Sequence, residues 1–357
     1  MLRANPTIFR ALIVAMAAPF ALASCHQSDT TASGSEPAAA ADVQMVIDEA
    51  EAALAILALL RQGAEPQDEA WKRLFYSEGY VRLKRREESM QRPFPDEAFM
   101  AFLRSDEMLG GAAALSAALN DWRKADTQAA SRLAQAYLPA GTRIRATLYP
   151  VIKPQSNSFV FETSTDPAIF MYLDPNVPHS KLENTLAHEL HHIGYASACA
   201  DDSSETTAEG VKAAMTWAGA FGEGLAMLAA AGGPAVHPHA VSPPGERARW
   251  DKDVANVAQD MKRVETFFLD VIEGRLTGED AIRDVAMGFF GVQGPWYTVG
   301  WSMAATIEEV NGRERLLAVM CDPRLLLATY NTAAMQSTAS GKPKPLWSEA
   351  LMTRLGP

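Results

Sequence analysis

Apolar residues recur at the helical repeat along most of the chain, with one interruption where the period changes. From 42 to 138 the pattern is helical throughout. Asp42 is placed to cap a run in which Val43, Val46, Ile47, Leu54, Leu57 and Leu60 follow at near-helical spacings. Pro66 opens a second helix with Trp71, Leu74 and Phe75 on one face, followed by the basic run Lys84-Arg85-Arg86, expected to be a solvated face. Pro93 and Pro95 break the chain, Asp96 restarts it, and Gly110-Gly111 is expected to separate that helix from an Ala-rich one ending near Tyr137. Then come three short stretches, 143–152, 158–162 and 168–173, rich in β-branched and aromatic residues and bounded by Pro, Asn, Ser and Asp. They predict a small sheet of about three strands. Helical periodicity resumes at 180–194 and 207–231, where Gly232-Gly233-Pro234 ends it. A Pro-rich loop follows, then helices at 249–273, 278–290, 297–310, 314–320 and 323–334. The expected fold class is mainly α (α+β): an N-terminal helical lobe over 42–139 and a body over 140–357 that contains the small sheet.

Composition changes this picture little, with 48% hydrophobic and 21% charged residues. A net charge of -11 argues against nucleic acid as a partner, because that binding rests on neutralising phosphates with Lys and Arg. The N-terminus stands apart. Arg3 and Arg10 precede an apolar run over 11–23, too short to span a bilayer but suited to a signal-peptide core. The run ends in Leu22-Ala23-Ser24-Cys25, which resembles a bacterial lipobox. The resemblance implies a signal peptide over 1–24, acylation of Cys25, and, with His26 rather than Asp next, an outer-membrane anchor facing the periplasm. Contact with the membrane would be through the lipid only. Residues 25–41 read as a disordered tether. Cys199 and Cys321 remain; in an oxidising compartment they could pair, or stay as two buried thiols.

The chemistry gathers on 180–194. Ser180 and Glu183 have capping-box spacing, and Gly194 is a candidate stop. At about 100° per residue, Leu182, Leu186, Leu190 and Ile193 share one flank. His188 and His192 share the other and form HExxH with Glu189. Two imidazoles one turn apart can hold one zinc ion at about 2.0–2.1 Å. Glu189, a step further round, is placed to reach a water rather than the ion. His191 falls on the far side of His188, as a supporting or surface residue.

A catalytic zinc site needs a third protein ligand and an open position. Glu223, on the next helix among small residues, is the choice. Gly222 and Gly224 beside it are each unfavourable in a helix interior by about 1 kcal/mol, which suggests a tight contact there. Glu209 is the rival, with Asp201 and Asp202 as minor candidates. HExxH with a Glu on the following helix resembles the gluzincin type of zinc metallopeptidase. More closely, Ala187-His188-Glu189-Leu190-His191-His192-Ile193 followed by Gly222-Glu223-Gly224-Leu225-Ala226 is similar to bacterial zinc-peptidase families known only as domains of unknown function. The resemblance implies a zincin-like core within the body and Zn2+ as cofactor. It also implies peptide or protein substrates, Glu189 as general base, and a Tyr or His from a later segment as oxyanion donor. Tyr297 is the candidate donor. His237 and His239 are alternatives that, as loop residues, are expected at the surface. Two other classes stay open: a lipid-anchored binding protein with a structural or vestigial metal site, and a zinc hydrolase acting on another bond.

Overall fold

The computed structural model describes residues 41–163, 165–199 and 208–355. The protein is mainly helical with one small mixed sheet, 64% helix and 6% strand. The chain opens with strand β1 (Asp42–Met45) and passes through six helices: α1 (Asp48–Arg61), α2 (Asp68–Phe75), α3 (Glu78–Ser89), α4 (Asp96–Leu103), α5 (Asp106–Trp122) and α6 (Thr127–Gln135). Strands β2 (Arg145–Val151), β3 (Phe159–Phe161) and β4 (Ala168–Tyr172) complete the sheet. Next come α7 (His179–Ala198) and α8 (Glu209–Ala218), a 3-10 turn at Gly219–Phe221, and α9 (Gly222–Ala231). The C-terminal part holds α10 (Pro244–Ala255), α11 (Val257–Ile272), α12 (Glu279–Gly288), α13 (Pro295–Asn311), α14 (Arg313–Val319), α15 (Pro323–Ala339) and α16 (Glu349–Leu355). None of these helices is long and apolar enough to cross a membrane.

The sheet order is β1-β2-β4-β3, with β1, β2 and β4 parallel and β3 antiparallel at one edge. The expectation of helix from Asp42 onward is therefore wrong at its start, and the sheet has four strands. Val43 is buried while Asp42 and Gln44 are exposed, the alternation of a half-buried strand. The partner that fixes it, Arg145–Leu148, lies about a hundred residues along the chain. A parallel pair needs a long crossover, and the six N-terminal helices supply it.

Two further corrections concern that lobe. Helix α5 runs straight through Gly110-Gly111, whose Cα atoms face open space. Burial of Met108, Leu115, Leu119 and Trp122 outweighs the propensity cost of two glycines. The basic run is not uniformly solvated. Lys84 and Arg85 reach carboxylates at the rim, but Arg86 is 3% exposed, with its guanidinium 4.0 Å over the Phe159 ring and paired with Glu87. Arginine tolerates this because its planar cation stacks on aromatic faces.

Helix α7 packs against α6 and α9, and its predicted apolar flank, Leu182, Leu186, Leu190 and Ile193, is fully in the core. Its ends differ from expectation. No capping box forms. Pro178 is the N-cap, the His179 amide donates to Asp121 on α5, and Glu183 accepts from the Asp126 amide. Both acidic groups are thus used to tie helices together. Gly194 does not stop the helix. A Cβ there would overlap the Leu138 side chain, so the glycine serves close packing. The helix continues to Ala198, and the next residue, Cys199, is disulfide-bonded to Cys321 with Cα atoms 5.0 Å apart. Of the two open readings for these cysteines, pairing holds.

Candidate metal centre

The expected helix over 207–231 is divided by the 3-10 turn into α8 and α9, and α9 lies against both α7 and α13. The close approach of α9 to α13 has one cause. A Cβ on Gly224 would collide with backbone atoms of Gly300 and Trp301, and a Cβ on Gly300 would lie 2.6 Å from the Phe221 carbonyl oxygen. Gly224 thus bears out the tight contact inferred from its cost. Gly222, with nothing within 4 Å, does not.

This packing brings His188, His192 and Glu223 together; they are the one group of potential metal ligands found among the described residues. His188 Nε2 and His192 Nε2 are 3.0 Å apart, and they lie 3.1 and 3.2 Å from Glu223 Oε2. A proton can fill one of these contacts, whereas a divalent cation fills all three. A tetrahedral ion with bonds of about 2.0–2.1 Å spaces its ligand atoms about 3.3–3.4 Å apart, within a few tenths of an ångström of the triangle seen. The donor set of two neutral imidazoles and a carboxylate suits zinc. The imidazole side chains retain 12% and 11% exposure and Glu223 only 3%, so the open side of the triangle lies towards the histidines.

Electrostatics follow from depth. Burial opposes charge on Glu223, yet His192 and His188 outweigh it and hold its carboxyl well below the usual range. Burial raises Glu189, which is 5% exposed; Glu223 adds to the rise while His188 and His192 oppose it. Burial and then the charge on Glu223 push Tyr297 well above the ordinary tyrosine value. The Tyr297 ring lies parallel to His188, centroids 6.3 Å apart, and its hydroxyl lies near enough to Glu223 to feel that carboxylate's charge.

The other candidates fall elsewhere. Glu209 sits exposed in the first turn of α8 and is not part of the triangle. Asp201, Asp202 and Cys25 lie outside the described residues. His191 is not at the surface; it is fully buried, with Nε2 3.1 Å from the Tyr137 carbonyl oxygen, and burial pushes its imidazole down to about 3. It therefore joins α7 to the end of α6 as a neutral ring. His237 pairs with Asp251. His239, expected at the surface, is 1% exposed: Nδ1 is 2.9 Å from Ser242 Oγ, and Nε2 accepts from Gln293 Nε2 at 2.8 Å. Ser242 also receives Lys181 of α7, so the Pro-rich loop is fastened to the metal helix by side chains. Composition alone cannot show that fastening. Nor does the sequence reveal that Gly300 is the partner of Gly224, because a glycine requirement imposed by another helix has no local pattern.

The fold and site define a helical protein with a two-histidine, one-carboxylate cluster built on HExxH of α7 and a glutamate of α9. The family model described as "Putative zinc dependent peptidase (DUF5700)" matches residues 62–339, and the chain belongs to that family. No curated protein and no solved structure matches it.

Proposed function

We propose that the protein is a zinc-dependent peptidase of the gluzincin type, with zinc held by His188, His192 and Glu223. The observation that carries this reading is the convergence of His188 Nε2, His192 Nε2 and Glu223 Oε2, with Glu189 buried on the same helix, in a family described as zinc dependent. When bound, the ion would act as a Lewis acid and bring the pKa of a water towards about 7. Glu189 takes the proton of the attacking water on a carboxylate oxygen and delivers it to the leaving amine. Its burial keeps competing water from that carboxylate. Tyr297, placed by its ring against His188, donates its O–H to the oxyanion that develops on the scissile carbonyl. We further propose that the protein is anchored to the outer membrane through Cys25, facing the periplasm. Support comes from the order of basic residues, short apolar run and Leu22-Ala23-Ser24-Cys25.

The test is metal analysis with peptide-library profiling of the mature protein and its Glu189→Gln variant. One zinc per chain in both, with hydrolysis reduced at least a hundredfold in the variant, is expected. Full activity in the variant refutes the mechanism. Stoichiometric zinc with no hydrolysis by the unmodified protein would point instead to a structural metal site.

A further inference from the structure

Beside the metal triangle lies a small apolar cluster separate from the main core. It contains Met227, Trp250 and Tyr297, with Phe290 and Trp301 packed on it. Its members continue the faces that build the site. Met227 follows Glu223 by one turn on α9, and Trp301 follows Tyr297 by one turn on α13. Two polar atoms at this cluster are buried and have no hydrogen-bond partner: the indole Nε1–H of Trp301 and the amide Oε1 of Gln293. Buried indole and amide groups ordinarily find partners, and leaving one unpaired costs about 1–3 kcal/mol. Gln293 carries a second cost, a φ of 65° in the left-handed region. Its Nε2 donates to His239, which rests on Trp250, so the amide is held with its oxygen free. Strain and unpaired polar groups that persist together mark places where a ligand completes the structure.

Gln293 precedes Tyr297 by four residues and Trp301 follows it by four. Trp301 lies one turn beyond Tyr297 on α13, and Gln293 stands in the turn that leads into that helix, so one free donor and one free acceptor belong to the segment that carries Tyr297. A peptide backbone offers the complement, N–H and C=O groups.

We propose that Gln293 Oε1 and Trp301 Nε1 bind the backbone of an extended substrate near the scissile bond. Met227, Trp250 and Phe290 form the seat for a bulky apolar side chain next to that bond. This assignment rests on the peptidase reading and goes beyond it by naming the substrate class and the groups that hold it.

The test uses the zinc-loaded full chain with blocked hexapeptides carrying Phe, Leu, Ala or Asp at each position. Ester counterparts, in which one amide N–H is replaced by oxygen, complete the set. Phe or Leu beside the cleaved bond should be preferred over Ala or Asp by about tenfold or more. Trp301→Phe, which keeps an aromatic ring, and Gln293→Met should each raise KM about tenfold with kcat within twofold and zinc content unchanged. At one position the ester should bind about tenfold worse than the amide in the unmodified protein and equally well in Gln293→Met. A merely structural role would not produce that convergence. Hydrolysis with unaltered KM in both variants, or an equal ester penalty with and without Gln293, overturns this assignment and leaves the peptidase reading standing. Where peptides bind without being cleaved, the calorimetric Kd takes the place of KM in the same comparison. A protein that neither cleaves nor binds any of the peptides overturns both.

Discussion

Replacing Gly224 by alanine adds one methyl group at the point where α9 meets α13. The nearest obstacles are backbone atoms, the closest being Trp301 N at 1.9 Å, which cannot rotate away as a side chain could. Ordinary contact begins at 3.4 Å, so the helices must part by roughly 1.5 Å or distort. Overpacking of this kind costs about 1–3 kcal/mol, and the gain in helix propensity from Gly to Ala returns at most about 1 kcal/mol. A net loss of about 1–2 kcal/mol is expected. The larger effect should be on the metal. Glu223 is the adjacent residue, and a displacement of about 1.5 Å is about two-thirds of a zinc–oxygen bond of about 2.0–2.2 Å. The same shift separates Glu223 from Tyr297. Gly222→Ala is the matched control, because nothing lies within 4 Å of its Cβ position. Zinc affinity by chelator competition and stability by urea titration should both fall in Gly224→Ala. Both should stay level in Gly222→Ala, with any change in stability being a gain. Equal behaviour of the two variants would refute the argument that backbone contact at Gly224 sets the position of Glu223.

Tyr297→Phe keeps the ring against His188 and removes the proposed oxyanion donor; kcat should fall about 10²–10³-fold with KM and zinc content little changed, as read from steady-state kinetics and metal analysis. Replacing Cys199 and Cys321 by serine opens a covalent link that spans 122 residues, and the chain-entropy estimate for a loop of that size is about 5 kcal/mol; a drop in urea midpoint is expected, and none at all would show that the fold already restrains these ends. Burial raises the Glu49 carboxyl from 4.5 to about 8, with the Ile152 amide opposing. A raised carboxyl stabilises the fold fully below pH 4.5, and that contribution is lost as pH rises towards 8, up to about 5 kcal/mol. Glu49→Gln should therefore match the unmodified protein near pH 4.5 and exceed its unfolding free energy by a few kcal/mol near pH 8.5. An offset that is the same at both pH values would contradict this.

What the sequence revealed and what it hid divide along physical lines. The apolar flank of α7 and the shared face of His188 and His192 are consequences of helical period and composition within short windows. They came through intact. So did the three later strands, where the period changes from helical to alternating within a few residues. The features that escaped are imposed from a distance. Asp42–Met45 is too short for its own period to decide between helix and strand, and only its pairing with β2 makes it a strand. Ser180 and Glu183 have capping-box spacing, but the helix starts earlier, its first amide at His179 donating to Asp121, and the Asp126 amide claims the Glu183 carboxylate that a box would use. His239 lies in a loop of prolines, and its burial depends on Trp250, Ser242 and Gln293.

The glycines show the same division most sharply. Gly110, Gly111, Gly194 and Gly224 are all helical, and their propensity cost is alike. Of these, Gly194 meets the Leu138 side chain, which would have to shift for a Cβ, and only Gly224 meets backbone that cannot. The cost of a helical glycine is therefore only a local signal, and the atoms packed against it decide whether the glycine is required. At Gly224 the requirement coincides with a metal-ligand candidate one residue away. The glycine that looks wasteful in α9 is what allows Glu223 to reach two histidines of α7 while Tyr297 of α13 stays in contact with it.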